Sequence, residues 1–396
     1  MAMKRQQRRV LERERRRIER RLCRAVATNT SGPVIGRANV SYELAERTKA
    51  VSHGGMGAIV RLAERVELAQ EIDDSLELLK IHRPYYESDH VLNIAFNALC
   101  GGTTLTDIEA RRQDRVFLEG IGAVSLPDPT TAGDFCRRFD EDSVMQLQEA
   151  INRSRLRVWA AQDSAFFCTR AVIDADASIV PTDAETKQGM EIARPRRKAR
   201  RVKDGVVRER KFKVLRTTSE DVCEFDYRPG ACKKDYRVVA LRKDLSVERG
   251  EDVLFHEYRW FFYITNLAAE TTTADEVVME ARRRCDQENL ISQLKGQVRA
   301  LHAPVNTLVA NWAYMVMAAL AWSLKAWCAL LLPVSARWAK THQEQRRRLL
   351  TMEFRTFRQA IIDIPCQIVT GKRQVRGRVL SWNPWLGVFF RLLDAL

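Results

Sequence analysis

The hydrophobic period of this chain changes twice, and those two changes limit what it can fold into. From His53 to Arg157 apolar residues recur at helical spacing, as at Ile59, Leu62, Ala63 and Val66. Between Phe166 and Thr265 the pattern turns to runs rich in β-branched and aromatic residues. Helical spacing returns at Asp275 and carries into the last third of the chain. This order predicts a mixed α+β fold, with a helical N-terminal region, a strand-bearing middle and a helical C-terminus. At 396 residues there is room for two or three domains and a sizeable core.

Local signals place the elements. A helix over His90 to Cys100 is stopped by Gly101-Gly102. Thr106 with Glu109 forms a capping box for a helix reaching about Glu119. Gly120 to Pro129 is a loop, and Thr130 or Thr131 caps the helix that carries Phe135, Arg137, Arg138 and Phe139. Strands are expected at Val222 to Tyr227, Tyr236 to Arg242 and Tyr258 to Thr265, with turns at Pro229-Gly230 and Arg249-Gly250. The apolar stretch from Asn306 to Leu332 contains Lys325 and reads as a buried core helix rather than a membrane span. The closing residues hold a helix with a basic run at Arg346 to Arg348, followed by SWNPWLGVFF.

Charge points to the partner. The formal net charge is +15, and two segments carry it. Residues 4 to 24 hold 11 Lys/Arg against 3 Asp/Glu, and residues 194 to 216 hold 12 against 2. The first reads as a basic helical arm over residues 4 to 27; the second includes Arg197, Lys198, Arg200 and Arg201. Neither carries a wide apolar face, which favours nucleic acid over a membrane surface. Arg111, Arg112, Arg137 and Arg138, near helix starts or exposed turns, would suit a helix-turn-helix-like DNA reader. Nine scattered cysteines without a C-x-x-C pair, and an N-terminus without an apolar signal core, fit a reducing cytosol.

Two stretches carry candidate chemistry. In ARRRCDQENLISQLK, residues 281 to 295, Arg284 lies four before Glu288 and Lys295 seven after it, so all three share one helix face. A carboxylate flanked by two cations suits a metal-and-phosphate site, although spacing alone better describes an ordinary charged face of an amphipathic helix. In FFCTRAVIDADASIV, residues 166 to 180, Asp174 and Asp176 fall on the same face of a strand. They are either ligands inside an apolar run or carboxylates at a strand end facing water.

The spacing R-x3-E-x6-K resembles the signature of bacterial insertion-sequence DDE transposases, whose fuller form is Y-x2-R-x3-E-x6-K; Ala281 stands at the Tyr position. SDHVLNIAFNALCGGTTLTDIEARR, DPTTAGDFCRRF, CEFDYRPGACKKDYRVV, FFYITN, RCDQENLISQLK, NWAYMVMAALAWSLKAW and MEFRTF resemble the branch called transposase DDE domain group 1, in that family's order. The resemblance implies an RNase-H-like α/β core with a β-rich insertion and a two-metal Mg²⁺ or Mn²⁺ site for DNA cleavage and strand transfer. Asp176, with Asp174 as the fallback, would be the first carboxylate and Glu288 the last, while Arg284 and Lys295 would meet phosphate. The partners implied are double-stranded DNA at element ends and targets, and a second copy of the chain, in a cytoplasmic, nucleoid-associated setting without a membrane.

One departure from the family pattern is large. TKQGMEIA ends at Ala193 and is followed at once by RPRRKARRVKDGVVRERKF. No Arg-Gly-Asp-type segment occurs between Asp176 and Glu288, so the second catalytic Asp and its strand are missing. The expectation is an internally deleted transposase with an incomplete core, able to bind DNA and impaired in cleavage. A non-catalytic DNA-binding inhibitor is the alternative. The expected division is a basic arm (1–48), a helical DNA-binding or oligomerisation region (49–165), the first part of the core (166–193), a basic β-rich segment (194–254), the second part of the core (255–332) and a helical C-terminal region (333–396).

Overall fold

The computed structural model describes residues 9, 12, 13, 15–17, 20, 48–82, 84–168, 216–228, 230, 233–248, 251–282, 284–371 and 375–396. The fold mixes helices with two small antiparallel sheets, as the double change of period predicts. Contacts divide the chain into two compact units, one of residues 1–173, 177–190 and 291–396, the other of residues 174–176 and 191–290. The described residues of the basic arm (9, 12, 13, 15–17 and 20) are helical and exposed. Asp174, Asp176 and the basic run with Arg197, Lys198, Arg200 and Arg201 lie outside the described residues.

The first unit opens with β1 (Ala50–Val51) and a turn through Gly54-Gly55 into α1 (Met56–Arg65). Met56, Ile59, Leu62 and Ala63 recur at helical spacing and are buried. Glu67, at φ 55, breaks the path between α1 and α2 (Leu68–Asp73). Next comes α3 (Glu87–Leu99), buried on nearly every side. Its polar side chains are therefore bonded inward: Asn93 donates to the Pro127 carbonyl at 3.0 Å and Asn97 to that of Thr104 at 2.9 Å. Fully buried Glu87 accepts the Leu78 and Leu79 amides, each at 3.0 Å.

The following turns differ from expectation by a few residues. The capping box is Thr104 with Asp107, not Thr106 with Glu109, because the Asp107 carboxylate reaches back to the Thr103 and Thr104 amides at 2.7 and 2.9 Å. The single helix expected to run to Glu119 is two, α4 (Ile108–Arg112) and α5 (Arg115–Ile121). Asp114 divides them by accepting the Val116 and Phe117 amides. Asp128, rather than Thr130 or Thr131, caps α6 (Pro129–Cys136), with Pro129 in the first turn. Then α7 (Glu141–Ala160) and α8 (Ser164–Cys168) complete this run of helices. Glu71 joins α2 to α7 by accepting from Arg153 and Arg157, each at 2.5 Å, and the Arg153 bond foremost holds its carboxyl below the usual range.

The second unit holds β2 (Arg216–Tyr227), β3 (Tyr236–Glu248) and β4 (Glu251–Thr265), a continuous antiparallel meander in the order β2-β3-β4. In register, Val222 faces Leu241 and Leu241 faces Phe261. One face is covered by α9 (Ala274–Arg282), whose Val277 and Val278 bury Val239 and Leu241. Thr273 and Glu276 form the capping box that starts this helix.

Next, α10 (Arg284–Gly296) runs from the second unit into the first. The remaining elements belong to the first unit. The apolar stretch is α11 (Leu308–Leu330), capped by Thr307 and buried at Ala313, Met317, Leu320, Leu324 and Trp327. Among the described residues it is a helix long and apolar enough to cross a membrane, and here it lies at the centre of the helical packing. Lys325 on it is fully buried, donates to the Leu350 carbonyl at 2.9 Å and stands 3.9 Å over the Trp322 ring. Burial pulls its ammonium down to about 8. After α11 come α12 (Ala339–Thr351), α13 (Phe354–Phe357), a wide turn over Arg358–Ile362 and the hairpin of β5 (Cys366–Thr370) and β6 (Val375–Val379). The chain closes on α14 (Leu386–Leu393). The β5–β6 hairpin was not expected from the sequence. It forms because β1 pairs with β5, giving the sheet order β1-β5-β6.

Candidate functional site

The motif Arg284, Glu288, Lys295 lies on one uninterrupted helix, α10. With 3.6 residues per turn, intervals of four and seven keep these three positions on one face. Glu288 is exposed, and Lys295 is half-buried. The side chain of Arg284 lies outside what the structure describes, although its backbone is helical.

The C-terminal half of α10 is anchored by amide side chains. Gln293 is buried, and its Oε1 accepts the Phe354 amide at 2.7 Å. One turn later, Gln297 Oε1 accepts the Arg355 amide at 2.5 Å and its Nε2 donates to Glu353 at 3.2 Å. These bonds satisfy amides at the start of α13, which no helical carbonyl reaches. Leu294 packs on the main core beside them. Replacing Gln293 with Ala leaves the Phe354 amide unpaired in a buried place, at a cost of about 1–3 kcal/mol. Urea unfolding should show that loss, with Gln293→Glu recovering part of it because a carboxylate oxygen still accepts. Equal stability of wild type and Gln293→Ala would refute the anchoring role.

The metal expectation meets a short donor set. Among the described residues no group of three or more His, Cys, Asp and Glu side chains is placed to hold a cation. Asp221 and Asp235, between the two motif carboxylates in sequence, are held by Arg242 at 2.8 Å and Arg228 at 2.7 Å. Asp244 is buried in the sheet, and Asp226 is exposed on β2. Glu288 therefore stands as the one motif carboxylate among the described residues, too few oxygens for Mg²⁺. Among the described residues the donor set does not complete a two-metal centre, and no catalytic step is routed through one.

The arginines expected to read DNA have mixed employment. Arg111 donates to the Cys100 carbonyl at 2.7 Å, satisfying the end of α3, and so is structural. Arg112 pairs with Glu109 at 2.8 Å. Arg137 and Arg138 are exposed in the turn after α6; Arg137 pairs with Asp134 at 2.5 Å and Arg138 donates to the Leu78 carbonyl at 3.4 Å. Exposed pairs of this kind are worth about 0–1 kcal/mol and exchange readily for a phosphate.

A second polar cluster has no signal in the sequence. His53 Nδ1 lies 2.9 Å from Asp363, whose other oxygen is 3.7 Å from Arg358, and Arg358 donates to the Leu99 carbonyl at 3.1 Å. The partners are some three hundred residues apart, so no local pattern announces them. Nearby Cys100 is buried, and desolvation pushes its thiol up to about 12, which removes it as a nucleophile. The cluster ties the Gly54-Gly55 turn to the far end of the chain. No protein-family model, curated protein or solved structure matches this chain.

Proposed function

We propose that this chain is a bacterial insertion-sequence transposase relative of the DDE type that binds double-stranded DNA at element ends and is impaired in cleaving it. The observation that supports this most is the placing of Arg284, Glu288 and Lys295 on one continuous helix with Glu288 open to solvent. The net charge of +15, concentrated in two segments, supports a polyanionic partner. On this reading the strand with Asp174 and Asp176 begins an RNase-H-like core from which the second-Asp strand has been lost. Asp176 and Glu288 are then the inherited metal ligands, and Mg²⁺ or Mn²⁺ the inherited ion. Arg137, Arg138 and the basic run from Arg197 to Arg201 make phosphate contacts, and the chain acts at the nucleoid in the cytoplasm.

A second reading, a DNA-binding inhibitor with no cleavage at all, is favoured by the arginine pairing of Asp221 and Asp235. Both readings predict a retarded band on duplexes carrying the element ends. Affinity should fall by orders of magnitude between low and moderate salt, because each neutralised phosphate releases counterions. Nicking separates them: slow Mn²⁺-supported nicking abolished by Glu288→Ala supports the impaired enzyme, and none supports the inhibitor. Efficient nicking abolished by that substitution would sink the claim of impairment. Failure to retard DNA at low salt would sink both readings.

A further inference from the structure

A groove runs between α7 and α11, within the first unit alone. Its volume is about 420 Å³, inside the usual range of about 300–1,000 Å³ for small-molecule sites. The floor comes from α11, where Trp312, Met315, Val316 and Ala319 follow helical spacing along one face. All four are only half-buried, although the same helix sets Met317 and Leu324 in the core. Ile151 of α7 and Leu301, ahead of α11, add to the apolar lining.

One charge stands in this lining. Among the described residues around the groove, Arg155 of α7 is the single charged side chain. Arg153 and Arg157 on the same helix both pair with Glu71. Two residues turn a helix through about 200°, so Arg155 points away from that acidic partner. Its described bond is to the side-chain oxygen of Asn152, a neutral group, and among the described residues no carboxylate pairs with it. Burial pulls the guanidinium below its ordinary value, with no acid to offset it. The guanidinium fork holds five N–H donors, and the bond to Asn152 leaves others for an anion.

The groove is polar at one end. Gln162, just past α7, accepts from Arg346 of α12, and Lys325, late in α11, donates to the Leu350 carbonyl at the end of α12. Both helices therefore run toward α12, and Arg155 and Ser323 fall toward that end of the groove. Leu301 and Trp312, at the start of α11, mark the apolar end. Charge and shape together select the occupant. A phosphate backbone is tracked by a row of cations, and one arginine over an apolar floor does not make a row. What fits is a single negative charge on an apolar body, and a carboxylate matches the planar guanidinium in two parallel bonds.

We propose that the α7–α11 groove binds a small apolar carboxylic acid as its anion, with the carboxylate on Arg155 beside Asn152 and Ser323 and the hydrocarbon along Trp312, Met315 and Val316. The site is separate from the DNA reading, because it needs no nucleic acid and is measured without it.

The experiment is isothermal titration calorimetry of the full chain with sodium decanoate below its micelle concentration, alongside decanol and decylammonium. Decanoate should saturate at one per chain, and decylammonium should bind roughly tenfold more weakly or worse, since its charge meets that of Arg155. Arg155→Gln should weaken decanoate by roughly tenfold and leave decanol unchanged, because only the charged head loses its partner. Ala319→Trp, which fills the floor, should weaken decanoate and decanol alike. Arg347→Gln is the control for attraction by net charge: this exposed arginine of α12 pairs with Glu344, and its loss should leave decanoate binding as it was. No saturable decanoate binding, or equal weakening by Arg155→Gln and Arg347→Gln, would overturn the proposal. So would decanol and decylammonium binding as tightly as decanoate. Loss of duplex binding in Arg155→Gln with decanoate binding unchanged would also overturn it, and would make this arginine a phosphate contact instead.

Discussion

Gly55→Ala should cost the first unit about 3 kcal/mol or more. Gly55 caps α1 with φ −69 and ψ −15, a backbone conformation that alanine adopts freely. The obstacle is space. A Cβ at Gly55 would lie 1.7 Å from the Ile361 carbonyl oxygen and 2.8 Å from the Ile362 Cα. Both neighbours are backbone, and the Gly54 and Gly55 amides are bonded to the Ile364 and Ile362 carbonyls at 2.9 and 3.1 Å. Relief therefore requires separating two segments that those bonds hold together, a cost in the upper range for overpacking. At roughly 2–4 °C per kcal/mol for a unit of this size, thermal unfolding should fall by about 6–12 °C. Gly57→Ala is the control: its nearest neighbour is the Gly120 oxygen at 3.7 Å, and it lies inside α1. Alanine there should stabilise slightly, by about 0.5–1 kcal/mol. Equal melting of the two variants would refute the close-approach account.

Acid should weaken the same unit through His90. The ring is buried on α3, stacked on Phe135 with centroids 4.4 Å apart and met edge-on by Tyr85. Its Nδ1 has no hydrogen-bond partner among the described residues. Desolvation, the largest influence, lowers the imidazole from 6.5 to about 4; Asp89 and Glu87 oppose that and Arg138 adds to it. Between these two values the unfolded chain binds a proton that the folded chain refuses, so stability falls as pH drops from about 6.5 to 4. A shift of that size corresponds to about 3 kcal/mol. Urea unfolding at a series of pH values should show it as a difference between wild type and His90→Gln, since the other titrating groups are common to both. The variant should be less stable at neutral pH, where packing is lost, and lose less on acidification. Parallel stability curves for the two chains would refute the account.

Much of the fold follows from local pattern. The three strands around Val222, Tyr236 and Tyr258 announce themselves by composition and by Pro229-Gly230 between the first two. The structure lengthens them because, once paired, residues such as Asp244 continue the ladder regardless of local preference. The caps lie two residues before the expected positions, since Thr104 and Thr106, like Asp128 and Thr130, are all competent cap residues. The β5–β6 hairpin carries no local signal in the sequence. Cys366 pairs with Val51 across most of the chain, and β6 reads Val-Arg-Gly-Arg-Val, too exposed and short to show a buried alternation. Helical spacing puts Arg284, Glu288 and Lys295 on one face of α10, and Glu288 is exposed there. What α13 does for that helix was not legible, because a glutamine bonded to a distant amide has no counterpart in the spacing of its neighbours. The fate of Asp221 and Asp235 was likewise decided across strands and turns, by the arginines that register places beside them.

The fastening of α10 by Gln293 and Gln297 has a practical consequence. Neutral amides bonded to backbone respond little to ionic strength, whereas contacts between arginines and phosphates weaken steeply with it. Salt thus becomes a selective solvent variable for this molecule. If the chain binds a duplex as proposed, a concentration that strips it off should leave the seat of α10 intact, so binding and architecture can be titrated apart in one sample.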